Sequence, residues 1–127
     1  MKDLNLTLIR GLPGSGKTYL AREYARLGYV HYESDDFFWH AGTYTFDVSR
    51  LPEADNLCFE RTQYALAKER NVVVANPFAR RAELKPYLDL GMRRGAFVSV
   101  ITLTTQFDTR QDRPLAYLEG LKRRWQP

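Results

Sequence analysis

The chain has 127 residues, of which 44% are hydrophobic and 27% charged, with a net charge of +4. That length fits one domain spanning residues 1–127, and the composition is neither disordered nor fibrous. No apolar run is long enough for a membrane span, no signal-peptide h-region follows Met1, and the single Cys58 excludes an intrachain disulfide, so a cytoplasmic protein without a membrane partner is expected.

Residues 4–10 alternate Leu4, Leu6 and Leu8 with Asn5 and Thr7, the pattern of a strand. The strand runs into Gly11-Leu12-Pro13-Gly14-Ser15-Gly16-Lys17-Thr18, which fits the P-loop pattern Gly-x-x-x-x-Gly-Lys-Ser/Thr. Each fixed position has a physical task. Gly11, Gly14 and Gly16 let the backbone turn tightly against a triphosphate, and the next helix offers unpaired N–H groups to an anion. Lys17 suits the β- and γ-phosphates, and the Thr18 hydroxyl suits Mg²⁺. A nucleoside triphosphate is therefore the expected ligand. Leu20, Ala21, Tyr24, Ala25 and Leu27 continue with helical spacing over 16–27, and Gly28 stands where that helix stops.

A second strand over 29–34 delivers Ser34-Asp35-Asp36 at its C-terminal end. Residues 37–50 are aromatic and Gly/Thr-rich without clear periodicity and read as an excursion from the core. A helix over 52–69 starts with Pro52 in its first turn and Ser49 as a cap, with Ala54, Cys58, Arg61 and Ala65 on one face. Asn71-Val72-Val73-Val74-Ala75 reads as a third, fully buried strand that Asn76-Pro77 ends. Helical spacing over 79–94 is expected to break or restart at Pro86. Residues 96–103 read as a fourth strand and 114–125 as a last helix.

Strands alternating with helices imply an α/β fold of the P-loop NTPase type, with a parallel sheet of about four to five strands and helices on both faces. Ligands of such sheets bind beyond the carboxyl ends of the strands, which brings the P-loop, Asp35-Asp36 and Asn76 to one rim. If the chemistry is phosphoryl transfer, a group must accept the proton of the attacking hydroxyl. Asp35 is the expected base, also touching a Mg²⁺-bound water, and Asp36 a structural or substrate-orienting residue. The alternative is that the pair merely caps a short helix. Trp39 and Tyr44 suit either base stacking or packing, whereas Phe37 and Phe46 suit packing. Arg61 suits a phosphate or substrate contact, or else a surface position. The basic clusters Arg80-Arg81, Arg93-Arg94 and Lys122-Arg123-Arg124 suit either phosphates or a solvated face.

Taken together, Arg10 to Thr18, Ser34-Asp35-Asp36-Phe37-Phe38, Gly42-Thr43-Tyr44-Thr45-Phe46 and Lys85-Pro86-Tyr87 resemble the polynucleotide 5′-hydroxyl kinase-like branch of P-loop kinases, which also includes zeta-toxin-like members. The resemblance covers residues 4–103 and implies ATP- and Mg²⁺-dependent transfer of the γ-phosphate to a hydroxyl. Asp35 is then the general base, with Lys17 and Thr18 in the family's P-loop roles. Two departures stand out. Family members end the third strand with an acid followed by Asn-Thr-Asn, where this chain has Ala75-Asn76-Pro77-Phe78. They also carry an arginine-bearing lid after the fourth strand, for which only Arg110 and Arg113 are available here. The expected acceptor is a nucleic-acid 5′ end, with Asp36, Trp39, Tyr44, Arg61 and Asn76 on the acceptor side. A nucleoside or sugar nucleotide, or a nucleotide-binding module without transfer, are the alternatives.

Overall fold

A computed structural model describes residues 3–106 and 113–127. The sheet grows outward from β1 (Asn5–Gly11), which is buried from Leu6 onward. On one side lies β5 (Val72–Asn76), in parallel register from Leu6↔Val72 to Arg10↔Asn76. On the other lies β6 (Phe97–Leu103), parallel from Asn5↔Phe97 to Gly11↔Leu103. A short strand, β2 (Val30–Tyr32), joins β5 at the outside, giving the order β2-β5-β1-β6 with every pairing parallel.

Strand alternation sorts the side chains between two faces. Leu6, Leu8, Val72 and Val74 meet Cys58, Ala65 and Leu66 of α2 (Leu51–Ala67) and Leu84, Tyr87 and Leu90 of α3 (Arg81–Arg93). Ile9, Val73 and Ala75 meet Ala21 of α1 (Lys17–Arg26) on the opposite face. The expected parallel sheet with helices on both faces is thus present. Gly91 lets α3 lie close to β6, since a Cβ there would stand 2.2 Å from Val98 Cγ2. A last helix, α4 (Leu115–Arg124), brings Tyr117 against Phe46, with ring centroids 5.0 Å apart.

Several local expectations are corrected. The second strand stops at Tyr32, because Ser34–Phe38 coil into a 3₁₀ turn. Asp36 closes that turn by accepting the Glu33 N–H at 3.1 Å, so the capping alternative holds for this aspartate. The excursion contains a hairpin of β3 (Trp39–His40) and β4 (Thr43–Tyr44), turned by Ala41 and Gly42 with φ of 50° and 83°. Ser49 does not cap α2. It gives its N–H and hydroxyl to Asp47 at 3.0 and 2.6 Å, and α2 starts after the 3₁₀ turn Val48–Arg50. The buried stripe of α2 runs through Ala54, Cys58, Thr62, Ala65 and Leu66 and leaves Arg61 exposed. α3 does not break at Pro86. Pro86 lies in the second turn, so one bond to the Ala82 carbonyl is lost, while Leu84, Tyr87 and Leu90 remain buried in the core around it.

Candidate active site

The carboxyl ends of β1, β5 and β2 meet at one rim. Gly14 and Gly16 have φ of 88° and 94°, the left-handed conformation that glycine adopts without strain. Gly11 is needed for space, since a Cβ would stand 2.3 Å from Ser15 Oγ. The loop is anchored by Gly11 N–H to the Pro77 carbonyl at 3.2 Å and by the Gln106 amide to the Pro13 carbonyl at 3.0 Å. Helix α1 begins at Lys17 with neither a side-chain cap nor an acidic residue in its first turn. Its positive dipole end is left for an anion. Ser15 Oγ is buried without a hydrogen-bond partner among the described residues, another polar group that a phosphate would satisfy. Lys17 folds back to give Nζ to the Leu12 carbonyl at 3.1 Å. Burial lowers its ammonium to about 8, with Arg113 pushing the same way and Glu33 and Asp35 opposing.

Facing the loop, Asp35 carries two donors. Tyr44 gives its hydroxyl to Oδ1 at 2.9 Å, and Arg113 forms an ion pair with Oδ2. Tyr44 is raised well above an ordinary phenol, chiefly by partial burial and then by Asp35. Asn76, at the end of β5, accepts the Ser34 N–H at 2.8 Å and so fixes the entry into the 3₁₀ turn that carries Asp35. Thr18 gives its hydroxyl to Glu33 Oε1 at 3.0 Å. Lys17, Thr18, Asp35, Asn76 and Arg113 all line one cleft of about 1070 Å³.

Residues 6–116 match the AAA_33 family, described as an AAA domain. This chain belongs to that family. NEDD4-binding protein 2 of Homo sapiens is 38% identical over 93 residues, which is 71% of this chain but 5% of that protein. Among solved structures, one chain of the Pnkp1/Rnl/Hen1 complex matches with TM-score 0.65 and 19% identity, over 94% of this chain and 39% of that one. A gluconokinase from Sinorhizobium meliloti 1021 matches with TM-score 0.61 and 17% identity, over 100% of this chain and 78% of that one. At such identities the likeness is one of fold, and the fold is the kinase-type P-loop fold expected from the motif.

The AAA_33 domain brings together most, though not all, of the expected site residues. Trp39 is 55% exposed and packs at a tilt against Tyr44 across the hairpin, with centroids 5.2 Å apart. Both line a smaller polar recess of about 420 Å³ together with Asp36, Arg22 and His31, and that recess shares Thr18, Glu33, Asp35 and Arg113 with the main cleft. Arg61 lines neither cavity, although its charge favours the ionised form of Asp36. Arg110 lies outside the described residues. Of the basic clusters, Arg80-Arg81 opens α3 at the rim, whereas Arg93-Arg94 ends α3 at the opposite edge of the sheet, just before β6.

Two sets of residues escaped the sequence reading. Glu33, one position before Ser34-Asp35, belongs to the site. Across the cleft from the P-loop, Asp55, Asn56 and Phe59 of α2 and Glu83 and Tyr87 of α3 form a wall that is acidic and aromatic. Partial burial raises the Asp55 carboxyl, and Glu83 adds to that shift. Among the described residues no three His, Cys, Asp or Glu gather into a metal cage. The hard oxygens of Thr18 and Glu33 instead suit Mg²⁺, which keeps waters and shares nucleotide phosphates.

Proposed function

We propose that this domain is an ATP- and Mg²⁺-dependent phosphotransferase that moves the γ-phosphate of ATP to a hydroxyl, with a nucleic-acid 5′ end as the acceptor. The observation that carries the reading is the placement of Asp35 and Arg113 in the same cleft as Lys17 and Thr18. Lys17 and the loop N–H groups hold the phosphates, and Mg²⁺, which the Thr18 hydroxyl would help to hold, would supply charge neutralisation. Asp35 accepts the proton of the attacking hydroxyl, and Arg113 exchanges its carboxylate partner for the transferred phosphoryl group. Asn76 keeps the Asp35 turn in place.

A 5′-hydroxyl end suits the acidic wall better than a 5′-phosphorylated one would. Its terminal nucleoside carries no 5′-phosphate, so an uncharged sugar and base would lie beside Phe59 and the acids Asp55 and Glu83. The phosphates that follow would meet Arg80 at the start of α3, whereas the Arg81 guanidinium is held by the Pro127 carbonyl. The test is transfer of labelled γ-phosphate to 5′-hydroxyl DNA and RNA oligonucleotides, with loss in Lys17→Ala and Asp35→Asn. Absence of transfer to any oligonucleotide would end the nucleic-acid version. The same acidic wall favours a second reading, a small uncharged polyhydroxylated acceptor. Turnover of that acceptor would depend weakly on salt, whereas polynucleotide use would fall steeply as salt rises.

A further inference from the structure

Ala75, one residue before the end of β5, packs with Ala21 on the α1 face of the sheet, where a carboxylate would lie close to the P-loop helix. The β2–β5 register ends at His31↔Val73 and Tyr32↔Val74, and Glu33 follows directly with an extended backbone. Alternation puts Glu33 on the face of His31, which is the face of Val73 and Ala75. The Glu33 side chain is 11% exposed and also accepts the Asp36 N–H in the capping box of the 3₁₀ turn. Oε1 accepts the Thr18 hydroxyl at 3.0 Å, and Oε2 lies 2.6 Å from His31 Nε2.

We propose that Glu33 is the positioning carboxylate of the Mg²⁺ site, supplied from β2 in place of an acid at the end of β5. A threonine hydroxyl has one proton and two lone pairs, and only the lone pairs can face a cation. By taking the proton, Glu33 fixes the rotor of Thr18 so that its lone pairs remain for the metal. A carboxylate at this position also adds negative charge beside the cation and can accept from its water shell. His31 locks the carboxylate from the other side, the outer support that metal-site ligands commonly need.

This inference rests on the reading of the cleft as an ATP–Mg²⁺ site, and its test is one of binding rather than turnover. ADP affinity is measured by calorimetry with Mg²⁺ and with EDTA, and the ratio gives the metal coupling. Glu33→Ala is expected to lower that ratio about 10–100-fold while ADP affinity in EDTA is kept, and Glu33→Gln, whose amide oxygen still accepts the Thr18 proton but carries no charge, is expected to lower it less. Thermal melts identify which variant is folded, and the glutamine keeps the shape where alanine does not. Glu33→Ala combined with Ala75→Asp is expected to regain coupling, because the acid returns one strand over. Unchanged coupling in a folded Glu33 variant, or no recovery in a folded double variant, would overturn the proposal. Coupling that depends on Glu33 in a protein that transfers nothing would uphold it and remove the phosphotransferase reading. A wild-type protein without any coupling would remove both.

Discussion

Lys17 offers a direct measure of how the loop meets its ligand. Burial holds its ammonium at about 8, so near neutral pH the side chain is mostly charged, while at pH 9 it is mostly neutral. Nucleotide phosphates have their second ionisation near pH 6 and stay fully charged across this range. Closing on them favours the ammonium form and returns its pKa towards the ordinary lysine value. ADP binding in EDTA should therefore take up about half a proton at pH 8 and about 0.9 at pH 9. Because the bound state holds the extra proton, affinity falls as pH rises. The loss approaches tenfold, or about 1.36 kcal/mol, for each pH unit above 8. Calorimetry in buffers of different ionisation enthalpy reads the proton count directly. Lys17→Arg, whose guanidinium never loses its proton, should bind with no uptake. Zero uptake at pH 9 in the wild type, or equal uptake in the arginine variant, would refute the argument.

Asp35→Asn should lower single-turnover phosphate transfer by about 10²–10⁴-fold with ATP affinity kept; transfer near the wild-type rate would exclude Asp35 as base. Gly91→Ala should destabilise the fold by about 1–3 kcal/mol in urea melts, because the added methyl meets Val98 and outweighs a helix-propensity gain of about 1 kcal/mol. Val98→Ala in the same chain should relieve it, and a more stable single variant would contradict the packing. Arg10 is 3% exposed, gives Nε to the Phe78 carbonyl at 3.1 Å and Nη2 to the carbonyls of Ala79 and Gln126, and lies 4.3 Å from the centroid of the Trp125 ring. Arg10→Lys cannot span those acceptors and should cost about 3 kcal/mol, read as a lowered urea midpoint; an unchanged midpoint would count against it.

The phosphate loop and the sheet were legible because their signals are local. The loop needs glycine at fixed spacing, and the Val72-Val73-Val74 run admits little besides a buried strand. Pro86 misled because a proline in the second turn forfeits one bond, and the buried residues of α3 outweigh that loss. Ala41-Gly42 marks a two-residue turn between short strands, but the hairpin it joins is too brief to show alternation. Asp36 and Ser49 were assigned from residue type, whereas their partners depend on where the 3₁₀ turns fall. The wall formed by Asp55, Glu83 and Tyr87 was out of reach for another reason. It depends on how α2 and α3 rotate on the sheet, which no spacing within either helix states. Glu33 had a signal in its position beside Ser34-Asp35 and in the empty acid position at Ala75. Only the register of β2 on β5 joins the two.

The strand order has a consequence for how this site comes into being. Leu6 of β1 pairs with Val72 on one side and Val98 on the other, so both neighbours of the strand that feeds the P-loop lie far along the chain. Contacts of such long sequence separation form late, since the closure entropy of the intervening chain precedes their reward. A growing polypeptide that ends before β6 leaves β1 with one bare edge and the loop without its Gln106 anchor. Nucleotide capture should therefore appear only after residue 106 has been made, and an early-truncated chain should neither bind ATP nor resist proteolysis.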